Sequence, residues 1–141
     1  PLADMELNPG VRYTVYDFWA GEYLGIIKDT LQVEVPFGGV RLLGLRYAEQ
    51  RPMLVATNRN FTQGALDHGE IAWSHETQRL SGRFTGTSGF PYTLTFYVPE
   101  PYRMKTVECS VAIGREESAG TVLKLSLTPG QDGDVSWTLQ F

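Results

Sequence analysis

Cysteine, positive charge and long apolar runs are all scarce in this sequence of 141 residues. Its one cysteine, Cys109, has no partner for an intrachain disulfide. The formal net charge is −4, which argues against a nucleic-acid-binding protein because such proteins usually turn a basic face to the phosphates. No apolar run approaches the ~20 residues that cross a bilayer. We therefore expect neither nucleic acid nor a membrane as a partner.

Helical periodicity is scarce as well, since no window of about twelve residues keeps an apolar stripe without a glycine or proline. Apolar and polar residues instead alternate in about ten short segments that turn-forming sequences separate. These segments are 13–19, 31–35, 40–45, 53–57, 71–75, 80–84, 92–98, 107–113, 122–127 and 135–141. The pattern predicts one all-β domain over residues 1–141, an antiparallel β-sandwich of about ten strands with hairpin and Greek-key connections. A possible seam lies at 48–52, and segment 40–45, apolar on both sides, is predicted to be a central strand.

Side chains that could carry chemistry do not converge. His68 and His75 lie among acidic residues, a combination that suggests a metal site. If 71–75 is a strand, however, His75 faces away from Glu70 and Glu76, so we expect solvated residues there and no metal. Cys109 lies within an apolar segment, where core packing is a better interpretation than a catalytic thiol. We predict no catalytic residue and no cofactor.

Aromatic residues make up 12% of the chain, and a flat ring exposed on a sandwich face can stack against a sugar ring. Trp73, Tyr92 and Tyr97 are the candidates for such carbohydrate binding. The alternative is that they fill the core or cover strand faces, as Trp and Tyr commonly do in sandwiches.

One segment is more specific than any of these patterns. Residues 13–25 read YTVYDFWAGEYLG, and the apolar segments 31–36 and 40–45 follow. They resemble the C-terminal β-domain of α-galactosidase-like (melibiase-like) glycoside hydrolases, where a Tyr-x-Val-x-Asp-x-Trp strand leads into a hairpin and then into Pro-His-Gly-x-x-Leu-Leu-x-Leu. The resemblance covers residues 2 to about 97. Residues 51–64, RPMLVATNRNFTQG, also resemble bacterial members, which often read Pro-x-Leu-x-Ser-Thr-x-Arg-His-Ile-x-Gln-Gly. Phe37 and Asn60 stand where that family usually has histidine, which argues against a task for a family histidine here.

The resemblance implies a non-catalytic accessory sandwich that packs on a catalytic (β/α)₈ domain of the same parent chain and stabilises it. The barrel supplies both catalytic carboxylates and needs roughly 250 residues, which this chain cannot hold. Asp17, Phe18 and Trp19 are then structural or interface residues, and we expect Trp19 in the core or at a domain interface. Two alternatives are a carbohydrate-binding module that uses exposed aromatic residues such as Trp73, and a stand-alone hydrolase, which needs two suitably spaced acids.

The resemblance also bears on the setting of the chain. It implies a domain excised from the C-terminal end of a larger glycoside hydrolase, with at least one further strand before residue 1. Unpaired strand edges and uncovered apolar patches recruit other chains, so we expect the isolated chain to self-associate through its N-terminal strands. The sequence leaves the compartment open, and a secreted or periplasmic parent is compatible with it.

Overall fold

The computed structural model describes residues 1–59 and 69–141. Within them the chain forms eleven strands and one short 3₁₀ helix at Leu2–Met5, with no α-helix. The strands are β1 (Tyr13–Asp17), β2 (Glu22–Ile27), β3 (Leu43–Tyr47), β4 (Met53–Thr57), β5 (Glu70–Ser74), β6 (Arg79–Thr85), β7 (Tyr92–Tyr97), β8 (Thr106–Cys109), β9 (Ile113–Ala119), β10 (Val122–Leu127) and β11 (Asp134–Gln140). A helix long and apolar enough to cross a membrane is absent from these two ranges.

The strands form three antiparallel sheets. The N-terminal sheet has the order β2-β1-β3, the central sheet β4-β7-β10-β9 and the outer sheet β5-β6-β11-β8. Adjacent hairpins pair β1 with β2, β5 with β6 and β9 with β10. The remaining connections from β4 onward cross between the central and outer sheets, which is the arrangement of a sandwich and not of a closed barrel.

The main core lies between the central and outer sheets. Burial alternates along β10 and β11, so that Leu123, Leu125, Trp137 and Leu139 point inward. The Trp137 indole meets the Phe96 ring edge-on, with 5.0 Å between ring centroids. This alternation is the period-two pattern of strands with one buried face.

A second, smaller core lies on the opposite face of the central sheet. It contains Tyr16 and Phe18 from the N-terminal part of the chain together with Ala56 of β4. Lys124 of β10 donates a hydrogen bond from Nζ to the carbonyl oxygen of Gly21, over 3.0 Å. The central sheet is therefore covered on both faces, and the molecule has three layers of sheet.

The predicted all-β antiparallel sandwich is confirmed, but some of the predicted strands are wrong. Residues 31–35 form no strand, and segment 40–45 is not a central strand. Strand β3 begins only at Leu43 and lies at a sheet edge, while Val40 is 78% exposed. No predicted strand falls on β2, and the predicted segment 107–113 covers β8 but only the first residue of β9. The suspected seam at 48–52 is the link from β3 to β4, and the single-domain assignment stays a prediction.

Candidate functional site

Asp17 is the last residue of β1, and its side chain is only 1% exposed. One carboxylate oxygen accepts a hydrogen bond from the Arg41 guanidinium over 2.5 Å, and the other accepts the backbone N–H of Ala20 over 3.1 Å. Burial by itself raises the pKa of Asp17, but the Ala20 N–H and the Arg41 guanidinium outweigh it and hold that pKa below its ordinary value. Asp17 is thus a charged group within a buried ion pair.

Two turns leave the N-terminal sheet at the end where Asp17 lies. Asp17 is paired with Glu22, the first residue of β2, and with Leu43, the first residue of β3. The turn at 18–21 and the run at 34–42 therefore emerge side by side, and the Phe18 N–H donates to the Leu42 carbonyl over 2.8 Å. The guanidinium of Arg41 also donates from Nε to the carbonyl oxygen of Glu34 over 2.7 Å, closing the base of the second turn.

In the turn at 18–21 and between Glu34 and Arg41 the exposed side chains are apolar, whereas Glu34 itself is exposed and charged. Trp19 is 59% exposed, Val35 51%, Val40 78%, and the Phe37 ring is fully exposed. The sequence between Glu34 and Arg41 carries no charged residue. We call these four residues, Trp19, Val35, Phe37 and Val40, the apolar end. Scattered single apolar residues are normal on a protein surface, whereas contiguous apolar patches mark interaction sites, so the apolar end is the candidate surface of this chain.

The wider distribution of exposed apolar residues points to the same part of the chain. Among the described residues, seven of nine exposed large apolar side chains belong to residues 1–47, and only Ile71 and Phe90 lie elsewhere. The N-terminal sheet and its turns are therefore the incompletely covered layer of the molecule.

Of the three residues expected to be structural or at an interface, two are buried. Asp17 holds the ion pair, and Phe18, 8% exposed, packs in the smaller core. The expectation of a core position for Trp19 is wrong, since β1 ends at Asp17 and Trp19 lies in the turn beyond it, where strand alternation no longer applies. Its ring meets Phe18 edge-on at 5.0 Å and otherwise faces solvent, which leaves the interface alternative.

The three aromatic candidates for sugar binding do not form an exposed platform. Tyr92 and Tyr97 lie on β7 of the central sheet, which is covered on both faces, and they are 6% and 3% exposed. Trp73 on β5 is half-buried against the main core, with the Tyr102 ring edge-on at 5.5 Å and the His75 ring edge-on at 5.8 Å. Tyr92 and Tyr97 are packing residues because nearly every side chain of β7 is buried. Trp73 packs through its ring contacts with Tyr102 and Phe141, although Ile71 on the same face of β5 is 37% exposed.

A cleft of about 610 Å³ opens where β6 and β11 meet the turn that precedes β11. Its described lining includes Arg83, Asp132 and Asp134. Asp132 accepts the backbone N–H of Asp134 over 3.3 Å, and Asp134 accepts the hydroxyl of Thr85 over 2.8 Å. Asp132 therefore stabilises the turn before β11 in the manner of an Asx turn, and Asp134 bonds to its cross-strand partner on β6.

The remaining candidates from the sequence are Cys109 and His68. Cys109 is a free thiol packed against the main core. His68 lies outside the described ranges, and within those ranges no group of three or more His, Cys, Asp or Glu side chains is placed to hold a metal ion. The prediction that His68 and His75 hold no metal therefore stays a prediction.

Comparison with known proteins adds no identification, because no family model, curated protein or solved structure matches the chain. The structure identifies the fold as an all-β domain of antiparallel sheets.

Sequence reasoning missed two residues of this region. Arg41 is the single charged residue of segment 40–45, and a charge in an apolar segment is a signal for a buried partner, here Asp17. Phe37 stands in the sequence Pro-Phe-Gly-Gly, which is a turn and not a strand, and an aromatic residue at such a tip has no strand face to pack on. The Gly39 N–H donates to the Pro36 carbonyl over 2.8 Å within this turn.

Proposed function

We propose that the chain is a non-catalytic accessory β-sandwich domain of an α-galactosidase-like glycoside hydrolase. In this proposal it packs on the catalytic (β/α)₈ domain of the same parent chain and stabilises that domain. The observation that carries the proposal is the apolar end, in which the exposed indole of Trp19 and the fully exposed ring of Phe37 lie on two turns at the same end of the N-terminal sheet. The resemblance of residues 13–45 to the family supplies the identity of the partner.

The chemistry of the apolar end favours a permanently associated protein surface. Interfaces of obligate complexes are more apolar than transient ones, and charged residues are depleted at their centre. The run from Val35 to Val40 has no charge, and Arg41 at its base is already neutralised by Asp17. A large aromatic side chain such as Phe37, projecting from a turn, is the type of anchor that fills a pocket on a partner.

The carboxylates of the described residues support an accessory role over a hydrolytic one. Glycoside hydrolysis needs one acid that donates a proton and a second that acts as nucleophile or base across the scissile bond. Asp17 is buried and ion-paired, Asp132 holds a turn, and Asp134 accepts the Thr85 hydroxyl across the pair of β6 and β11. None of these three groups is free to play either part without giving up a structural contact.

The test is a titration of the chain against the catalytic domain encoded by the same gene and produced as a separate polypeptide. We expect saturable binding by the parent chain, and a loss of about tenfold or more in affinity for Phe37→Ser, since anchor residues commonly cost more than 1 kcal/mol when truncated. Phe90→Ser is the matched control, because Phe90 is also exposed but lies far along the chain from the apolar end. Its affinity is expected to stay within about twofold of the parent value, as for a residue outside an interface.

Three results overturn the proposal. One is a gene that encodes no barrel domain with this chain, and another is a barrel domain that does not bind the parent chain. The third is an equal loss of affinity in Phe37→Ser and Phe90→Ser, which would place the contact elsewhere. Melting curves of both variants accompany the titration, so that a folding defect is recognised as such.

A further inference from the structure

We propose that Asp17 is the positioning residue of the docking surface, because its carboxylate joins the two turns that carry the exposed apolar side chains. This inference rests on the proposed function and names the residue on which the shape of that surface depends. Asp17 itself does not touch the partner, since it is only 1% exposed. It acts through Ala20 on one turn and through Arg41 on the other.

The contacts form one continuous path between the turns. On the first turn the Ala20 N–H bonds to Asp17 Oδ1, which fixes the backbone immediately after Trp19. On the second turn Arg41 reaches Asp17 Oδ2 with one nitrogen and the Glu34 carbonyl oxygen with another. The guanidinium thereby ties both ends of the run 34–41 to the buried carboxylate. A planar guanidinium suits this task because its donors have a fixed geometry.

The second turn depends on this path because it has little else to hold it. Residues 31–42, all of them described, belong to no strand, so no ladder of hydrogen bonds fixes them. Val35, Phe37 and Val40 are exposed and bury little apolar surface in the chain itself. A turn that must be ordered on binding lowers affinity by the entropy of ordering, and a turn already held in place avoids that cost.

Asp17→Asn separates the charge of the carboxylate from its shape. An asparagine side chain retains an oxygen that accepts the Ala20 N–H, but it offers a neutral amide to Arg41. Hydrogen bonds with a charged partner are roughly twice as strong as neutral ones. The substitution is therefore expected to loosen the turn at 34–41 more than the turn at 18–21.

The experiment combines hydrogen exchange with the titration against the catalytic domain. In Asp17→Asn and in Arg41→Gln we expect exchange at the Gly39 amide to accelerate about tenfold, and affinity for the catalytic domain to fall by about tenfold, as for the loss of a charge-assisted bond. Amides of β10 and β11 keep their parent rates. Arg103→Gln is the control, because Arg103 forms an exposed ion pair with Glu100 over 3.0 Å outside this region, and it is expected to change neither readout.

Two further variants keep the test decisive. The double variant combines Asp17→Asn with Arg41→Gln. Because the two groups act as one pair, we expect its affinity for the catalytic domain to be no lower than that of whichever single variant binds more weakly. Arg41→Lys retains a positive charge beside Asp17 without the second arm to Glu34, and we expect its affinity to lie between those of Arg41→Gln and the parent. If Asp17→Asn does not fold, the comparison of Arg41→Lys with Arg41→Gln decides, and equal affinities for the two overturn the inference.

The result separates this inference from the function on which it rests. If Phe37→Ser loses affinity while Asp17→Asn and Arg41→Gln bind like the parent chain, the positioning role is wrong and the docking surface stands. If Phe37→Ser also binds like the parent chain, the docking surface itself is wrong. Additive losses in the double variant likewise overturn the coupling of the two turns through Asp17.

Discussion

Two tryptophans occupy opposite environments, and alanine substitution at each should separate them. Trp137 is 2% exposed between the central and outer sheets, whereas Trp19 is 59% exposed at the apolar end. A buried tryptophan removes about 200 Å² from water. At ~25 cal/mol per Å² of apolar surface that burial contributes about 5 kcal/mol, in line with the ~3–5 kcal/mol measured for truncating large core aromatics. Because domains are stable by only ~5–15 kcal/mol, Trp137→Ala should remove a large part of the stability.

Thermal and urea denaturation of the two variants beside the parent chain measure this difference. For a chain of this size about 1 kcal/mol corresponds to roughly 3–5 °C in Tm, so we expect Trp137→Ala to melt about 10–20 °C lower or not to fold. Trp19→Ala should change stability by less than about 1 kcal/mol, as for most surface substitutions. A larger loss for Trp19→Ala than for Trp137→Ala would refute the assignment of Trp19 to the surface and with it the apolar end.

Four further outcomes are expected. The pKa of Asp17 is lower in the folded than in the unfolded chain, so the stability that its carboxylate contributes is present above about pH 4 and is lost as the pH falls through the folded pKa. In acid titrations the stability difference between the parent chain and Asp17→Asn should therefore shrink below about pH 4. Gly133 has φ +76°, and a methyl group added there would press on the Gly86 carbonyl, whereas one added at Gly130 meets only ordinary contacts. In urea denaturation, Gly133→Ala should therefore lower the free energy of unfolding by about 2 kcal/mol, and Gly130→Ala should lower it by less than about 1 kcal/mol. Sedimentation of the isolated chain should show a mass that rises with concentration, less so in Phe37→Ser, and a monomer in both at high concentration would contradict self-association through the apolar end. Purified chain should not hydrolyse a nitrophenyl α-galactoside, and turnover abolished by Asp17→Asn would show the opposite.

Where one face of a strand is buried and the other wet, the sequence was sufficient to predict the strand. Segments 122–127 and 135–141 alternate cleanly, and β10 and β11 fall on them almost residue for residue. Segment 92–98 also predicted β7, but β7 is buried along almost all of its length, so the pattern could not tell an exposed face from a buried one. That is why Tyr92 and Tyr97 were open to a surface interpretation.

The errors lie where local pattern and tertiary contacts disagree. Residues 31–35 alternate as a strand does, yet no strand in the described part of the chain pairs with them, and Arg41 bonds instead to the Glu34 carbonyl. Strand β9 is polar along most of its length because it is a sheet edge with both faces wet, so periodicity could not find it. The proposed docking surface also depends on a tertiary contact that local pattern does not reveal. The ion pair of Asp17 and Arg41 joins residues that are 24 positions apart in the sequence.

We propose that another domain of a larger parent protein covers the apolar end of this chain. Hydroxyl-radical footprinting of side chains tests it directly, applied to the isolated chain and to the full parent enzyme under the same dose. We predict that oxidation of Trp19 and Phe37 is at least about fivefold slower in the parent protein than in the isolated chain, as for anchors excluded from water. Phe90 should be oxidised at the same rate in both samples. Equal oxidation of Trp19 and Phe37 in the two samples would contradict it.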